Sequence, residues 1–265
     1  MKSQLKCEVN EQDTSVLLEA VGVSLAYGGV HAVENVSLKV RAGRLVGLIG
    51  PNGAGKSTLL TILAGGLRPS SGSVMFDGTD ITRYAPHRRA RMGLVRTFQL
   101  GGDLPRLTVL ENLLFGAPGQ RGERLLFSMG PSFLWRKQEE ELVVRARALL
   151  DSFDMRKHEN HYVHELSGGQ RRLVEIMRAL MARPRLLLLD EPLAGVNPSL
   201  GRRIEEHLVQ LQKDGLTMVL VEHELGIVER CCDPVVVMAN GSIIGEGVMA
   251  DMRVRREVLD AYLAG

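Results

Sequence analysis

The sequence predicts an α/β protein, with an antiparallel β-subdomain at the N-terminal end and a smaller helical subdomain inserted into the core. Three observations predict it. Apolar residues alternate over short stretches of residues 16–40, the period of half-buried antiparallel strands. Residues 186–189 and 218–221 are unbroken apolar runs, which suit parallel strands covered on both faces. Between residues 142 and 181 the apolar spacing becomes that of helices. The chain is read as one domain of 265 residues, with 1–98 and 171–265 as core and β-subdomain and roughly 99–170 as the helical part.

Taken in order, residues 1–14 form a polar tail without the apolar stretch of a signal peptide. Val21, Val23 and Leu25 make one alternating set, and Val36, Leu38 and Val40 a second, separated by a turn at Tyr27-Gly28-Gly29. Residues 44–49 form a short strand, 50–55 a loop, and 56–64 a helix stopped by Gly65-Gly66. Another strand covers 73–76, with a turn at Asp77-Gly78. The basic residues Arg83, His87, Arg88, Arg89, Arg91 and Arg96 are expected on a solvated helix face. Residues 100–137, rich in Gly and Pro, are expected to be irregular. Leu142, Ala146, Leu149, Leu150 and Phe153 then share one helical face, and Leu173, Ile176, Met177, Leu180 and Met181 another. His158, His161 and His164 recur every third residue, but no Cys or carboxylate stands at zinc-motif spacing, so a loop is expected there.

Composition narrows the function classes. Apolar residues make up 45% and charged residues 24%, which excludes a disordered chain or a disulfide scaffold. Aromatics at 4% argue against single-stranded nucleic-acid binding, where stacking carries affinity. A net charge of +2 gives no whole-molecule attraction to polyanions, so no nucleic-acid partner is expected. Cys7, Cys231 and Cys232 are odd in number, two of them adjacent, which fits reduced thiols. The longest apolar runs are a few residues against the ~20 that span a bilayer, so the chain is expected to be soluble or docked on a membrane through a partner.

The most specific motif is Gly50-Pro51-Asn52-Gly53-Ala54-Gly55-Lys56-Ser57, a full match to G-x-x-x-x-G-K-[ST] between a strand and a helix. Its glycines let backbone N–H groups turn inward around phosphate oxygens, and the helix that follows points its positive end at the same anion. Lys56 is expected to reach the β- and γ-phosphates, Ser57 to bind Mg²⁺, and Thr58 to extend the phosphate-contacting set. The run 186–189 ends in Asp190-Glu191, placing a carboxylate at a strand's C-terminal edge, where ligands sit in open α/β sheets. Asp190 is expected to hold Mg²⁺, and Glu191 to polarise a water attacking the γ-phosphate.

Leu166-Ser167-Gly168-Gly169-Gln170 precedes the second amphipathic helix. Ser167 is an N-cap candidate, and the glycines leave N–H groups uncovered, a second anion site at a helix start. Two phosphate-binding elements for one nucleotide point to two copies of the chain, with each ATP held between the phosphate loop of one and the Ser167 segment of the other.

With these motifs in this order, residues 16–264 resemble the nucleotide-binding subunit of an ABC (ATP-binding cassette) transporter. The resemblance implies a P-loop (RecA-like) core, ATP and Mg²⁺ as cofactors, and a helical subdomain carrying Ser167, Gly168, Gly169 and Gln170. It makes Tyr27 the aromatic that stacks on adenine, Gln99 the glutamine that touches metal or water, and His223 the histidine that contacts the γ-phosphate and orients Glu191. Ala194-Gly195-Val196-Asn197 is the loop that crosses the dimer interface, with Asn197 where many relatives have Asp. Residues 90–99 (ARMGLVRTFQ), 107–113 (LTVLENL), 116–137 and 194–198 (AGVNP), with Ala261-Tyr262-Leu263, are most similar to the ATPases of branched-chain and neutral amino-acid importers. Those imply a second ATPase subunit, identical or different, two transmembrane permeases and a periplasmic or extracellular solute-binding protein. The implied place is peripheral, on the cytoplasmic side of the inner membrane. Lipopolysaccharide exporters and urea importers are near relatives, the former with Leu-Pro where Thr97-Phe98 stands. A DNA-repair or translation cassette would add a heptad coiled coil or a second nucleotide site, and a nucleotide kinase would not explain residues 166–170.

Overall fold

The computed structural model describes residues 15–97, 104–119 and 133–263. Two sheets organise it. In the first, β1 (Val16–Tyr27) pairs antiparallel with both β2 (Val30–Arg41) and β4 (Ser71–Phe76), and β5 (Thr79–Asp80) closes the edge. The expected turn joins β1 to β2. The expected Val21-Val23-Leu25 alternation needs correction: Leu18, Ala20, Val23 and Leu25 are buried, while Val21 is 46% exposed. The register shifts between Ala20 and Val23, and Gly22 sits at φ +58°. This bulge inserts one residue and turns Val21 outward, so the inward set continues one position late.

The second sheet runs β10 (Ser242–Gly247), β9 (Val235–Ala239), β3 (Leu45–Ile49), β8 (Thr217–Val221), β7 (Leu186–Asp190), β6 (Leu94–Arg96). All neighbours are parallel except β10 with β9. Every residue of β3, β7, β8 and β9 is buried. Successive side chains divide between two cores. Leu187, Leu189, Met218 and Leu220 join the cluster under the helices, whereas Leu186, Leu188, Val219 and Val221 join the cluster against the first sheet. That two-sided burial is why these runs lack polar alternation.

On the first-sheet side, α1 (Lys56–Ala64) buries Leu59, Leu60, Ile62 and Leu63 and ends at Gly65 in the left-handed region. α2 (Pro86–Arg91) follows with Arg89 at 1% exposure. The Arg89 guanidinium donates to the carbonyls of Ile62 (2.8 Å) and Leu63 (2.6 Å), satisfying the end of α1, and to those of Thr82 and Tyr84. Burial pushes its pKa down to about 10. The basic stretch is therefore solvated at Arg83, His87, Arg88 and Arg91, but Arg89 is an internal clamp.

On the other side, α3 (Val109–Phe115), α4 (Phe133–Ser152) and α5 (Gly168–Met181) pack through Val109, Leu113, Ala146, Leu150, Leu173 and Met177. Helix α3 corrects the expectation of an irregular 100–137 stretch. Thr108 accepts from the Glu111 N–H while the Glu111 carboxylate accepts from the Thr108 N–H at 2.7 Å, a reciprocal cap that starts the helix. Both expected helical faces are present, with Phe153 just past the end of α4. The chain continues through α6 (Pro198–Lys213), α7 (Leu225–Cys231), α8 (Met249–Val254) and α9 (Arg256–Leu263). Among the described residues no helix is long and apolar enough to cross a membrane.

Candidate functional site

The site is built at the C-terminal ends of β3, β7 and β8. Residues 50–55 leave β3 and enter α1 through conformations that demand glycine. At Gly50 (φ +149°) a Cβ would lie 2.1 Å from the Met238 carbonyl oxygen, and at Gly55 (φ +97°) 2.3 Å from that of Ala32. No side chain fits there, which lets bare main chain line the loop where backbone N–H groups can meet phosphate oxygens. Asn52 and Gly53 are exposed, Pro51 and Gly55 half-buried, and Ala54 buried. Lys56 opens α1 only 5% exposed, its ammonium donating to the carbonyls of Gly50 (2.8 Å) and Pro51 (2.9 Å). Burial lowers its pKa, and the nearby carboxylates of Glu191 and Asp190 pull it back up. Ser57 and Thr58 follow, half-buried.

Asp190 ends β7 with its side chain fully buried. Arg96, the last residue of β6, donates from Nη2 to Asp190 Oδ2 at 2.7 Å and from Nη1 to Thr61 Oγ1 at 2.8 Å. Asp190 Oδ1 lies 3.4 Å from Ser57 Oγ. Arg96 is thus no part of a solvated helix face: it supplies the counter-charge that a buried carboxylate requires. A carboxylate and a hydroxyl side by side form the hard-oxygen pair that suits Mg²⁺.

Glu191, the next residue, has φ +47°, uncommon for a residue with a Cβ. Its N–H still donates to the Val221 carbonyl, so the backbone stays tied to β8 while the side chain turns to His223. His223 Nε2 stands 2.6 Å from Glu191 Oε1. Neither side chain is buried: His223 is 44% and Glu191 25% exposed. A carboxylate oriented by an imidazole, in the field of Lys56, can take a proton from a water attacking a phosphorus atom.

Two residues without an expected role at the site also lie here: Glu222, and Tyr262, which the sequence offers only as part of the ending Ala261-Tyr262-Leu263. Glu222 is 4% exposed, with Oε1 accepting from the Leu193 N–H at 2.9 Å. Burial pushes its pKa up to about 7. Tyr262, on α9, has its phenol pKa raised by burial, and the Gly50 backbone N–H partly offsets that, which places the C-terminal helix beside the phosphate loop. The local signal for Glu222 was a charged residue beside His223 at the end of an apolar strand. For Tyr262 it was an aromatic in a polar helix.

Ser167 is the N-cap expected of it. Its Oγ accepts from the Gln170 N–H (3.3 Å), and Gln170 Oε1 accepts from the Ser167 N–H (2.9 Å). Ser167 and Gly168 are exposed, and space beside Gly168 is open. Gly169 faces inward, where a Cβ would lie 2.6 Å from Leu200. Gln170 Nε2 rests 3.1 Å from His158 Nε2. Among the described residues these hydrogen bonds stay within residues 158–170, and none of them links Ser167 to the phosphate loop. Asn197 has a plain role: its Oδ1 accepts from the Leu200 N–H at 2.9 Å and caps α6. Tyr27 ends β1 at 53% exposure. Gln99 lies outside the described residues.

Comparisons with known proteins agree with this geometry. The family model described as ABC transporter matches residues 33–194. An Archaeoglobus fulgidus protein named "Probable branched-chain amino acid transport ATP-binding protein LivG" is 41% identical over 247 residues, 93% of this chain and 95% of that one. The ADP conformation of MJ1267, an ATP-binding cassette of an ABC transporter, superposes with a TM-score of 0.83 at 37% identity, covering 95% of this chain and all of that one. The dimeric bacterial ABC transporter cassette MJ0796 matches at a TM-score of 0.73 and 27% identity, covering 88% of this chain and 99% of that one. The chain belongs to the ABC transporter family, as one of its ATP-binding cassettes.

Proposed function

We propose that this chain is the ATP-hydrolysing subunit of an ABC transporter that drives uptake of branched-chain or neutral amino acids through partner membrane subunits. The observation that carries the hydrolytic part is the 2.6 Å contact between Glu191 and His223, set within the field of Lys56. The amino-acid part rests on likeness: the Archaeoglobus fulgidus protein bears that description and matches along nearly the whole of both chains.

In this reading the loop N–H groups of residues 50–58 and Lys56 neutralise the β- and γ-phosphates of ATP. Glu191 accepts the proton of the attacking water, and His223 holds the Glu191 carboxylate in line. Asp190, Ser57 and Gln99 would hold Mg²⁺, which when bound adds positive charge against the phosphate oxygens. Tyr27 stacks on the adenine. Ser167, Gly168, Gly169 and Gln170 serve the ATP bound by a second ATPase subunit, identical or different, arranged head to tail. The exposure of Ser167 and the open space at Gly168 support that assignment. Residues 99–170 then move as the helical subdomain against the core, and opening and closing of the pair, on the cytoplasmic side of the membrane, rocks transmembrane permeases docked near Gln99 and the 100–137 segment. A solute-binding protein outside delivers the cargo.

The test is co-purification from membranes, followed by ATPase assays with the associated binding protein. Stimulation by leucine, isoleucine, valine or a small neutral amino acid is the expected result. Stimulation only by urea, or only by lipopolysaccharide, would overturn the amino-acid reading.

A further inference from the structure

Two strand ends must be held together for the hydrolytic pair to work. Glu191 follows β7, and His223 lies two residues beyond the end of β8. The strands pair as far as Asp190 opposite Val221, and the Glu191 N–H reaches the Val221 carbonyl. Past that point two side-chain ties cross the gap. One is Glu191 with His223, both partly exposed at the place where water and phosphate must enter. The other is Glu222 with the Leu193 N–H, and it is buried. A contact between two partly exposed side chains fixes geometry weakly. The restraint therefore falls to the buried tie.

We propose that Glu222 is a positioning residue for ATP hydrolysis: its buried carboxyl holds the segment after the acidic pair against the turn that bears His223, and so keeps Glu191 and His223 in register. The inference rests on the reading of Glu191 and His223 as the water-activating pair. The carboxyl belongs to one side and grips the other. Its Oε1 accepts from the Leu193 N–H, two residues after Glu191, while Glu222 itself directly precedes His223 in the chain, whose backbone N–H favours the carboxylate. The titratable groups facing it are Glu191 and His223 at the site and Cys232 behind it. It has no Lys or Arg among these neighbours, so it is not half of a buried ion pair. An acid held in a buried place against its ordinary ionisation costs stability, and such costs gather where geometry serves a reaction.

The test compares Glu222→Met and Glu222→Gln in the full-length chain, with Glu191→Gln alongside. Methionine fills the same buried volume without an acceptor, while glutamine keeps an oxygen for the Leu193 N–H. Glu222→Met is expected to melt no lower than the parent and to bind a fluorescent ATP analogue within about threefold, yet to lose kcat by roughly 10–100-fold, the scale of a misplaced reacting group. Glu222→Gln is expected to restore most of that kcat. Full turnover in Glu222→Met overturns the inference, as does a matched loss of ATP binding and kcat, or a Gln variant as slow as Met. Unimpaired hydrolysis by Glu191→Gln would instead sink the underlying reading of the pair, so the two failures are separable.

Discussion

The phosphate loop and the Ser167 segment both lead glycine-rich backbone into a helix N-terminus, but they are finished differently. Around the loop the fold supplies nearly everything. Lys56 and Asp190 are buried, Arg96 bridges Asp190 to Thr61, and the glycines at 50 and 55 sit against carbonyls of distant strands. At Ser167 the cap is satisfied inside its own segment, while Gly168 faces open space. The difference teaches that preorganisation is concentrated where charge is densest. The second site is an exposed helix start, which suits the proposal that it serves a nucleotide held by another chain.

Breaking the loop side should produce the largest effects. Glu191→Gln is expected to slow hydrolysis by ~10²–10⁴-fold, the usual contribution of a positioned proton acceptor, while ATP-dependent association persists; single-turnover kinetics with light scattering checks both. Lys56→Ala is expected to weaken ATP binding by roughly 10–100-fold, since it removes a charge-assisted contact worth ~1.5–3 kcal/mol, and equilibrium titration with a fluorescent analogue reads it. On the other side of the comparison, Ser167→Ala should leave ATP affinity of the isolated chain unchanged but lower turnover. It should also cost about 1 kcal/mol of stability through the lost N-cap, measured by urea unfolding.

Glu222 gives a pH signature. Its pKa rises from 4.5 unfolded to about 7 in the fold because burial disfavours the carboxylate. The folded state therefore keeps a proton that the unfolded state gives up between those values. Stability should fall as pH rises from about 4.5 to about 7, by ~3 kcal/mol from this group, and level off above. Glu222→Gln should flatten that slope in urea unfolding at pH 5, 6, 7 and 8. The smallest effect is expected for Asn197→Ala, about 1 kcal/mol from the lost cap of α6, read as a small drop in melting temperature.

Local patterns carried most of the site. The glycine spacing of residues 50–57, the acidic pair at a strand end, His223 after another strand and the Ser167 cap are each legible within a few residues, and the structure places all four at strand or helix ends. What escaped depends on partners far along the chain. Arg89 and Arg96 read as two more surface cations, because the carbonyls of α1 and the Asp190 carboxylate that bury them lie 26 and 94 residues away. Glu222 looked like an ordinary charge until the loop at Leu193 folded over it. The bulge at Gly22 escaped because one inserted residue preserves composition while reversing direction. Helix α3 was missed although its Thr108–Glu111 cap is local, since the surrounding glycines and prolines outweighed a short helix.

The account turns on the Ser167 face completing the site of another cassette. Specific ATPase activity followed down a dilution series, with sedimentation reporting how many chains travel together, tests this most directly. The account predicts that activity per chain collapses as paired chains dissociate. Undiminished activity at concentrations where every chain sediments singly would contradict it.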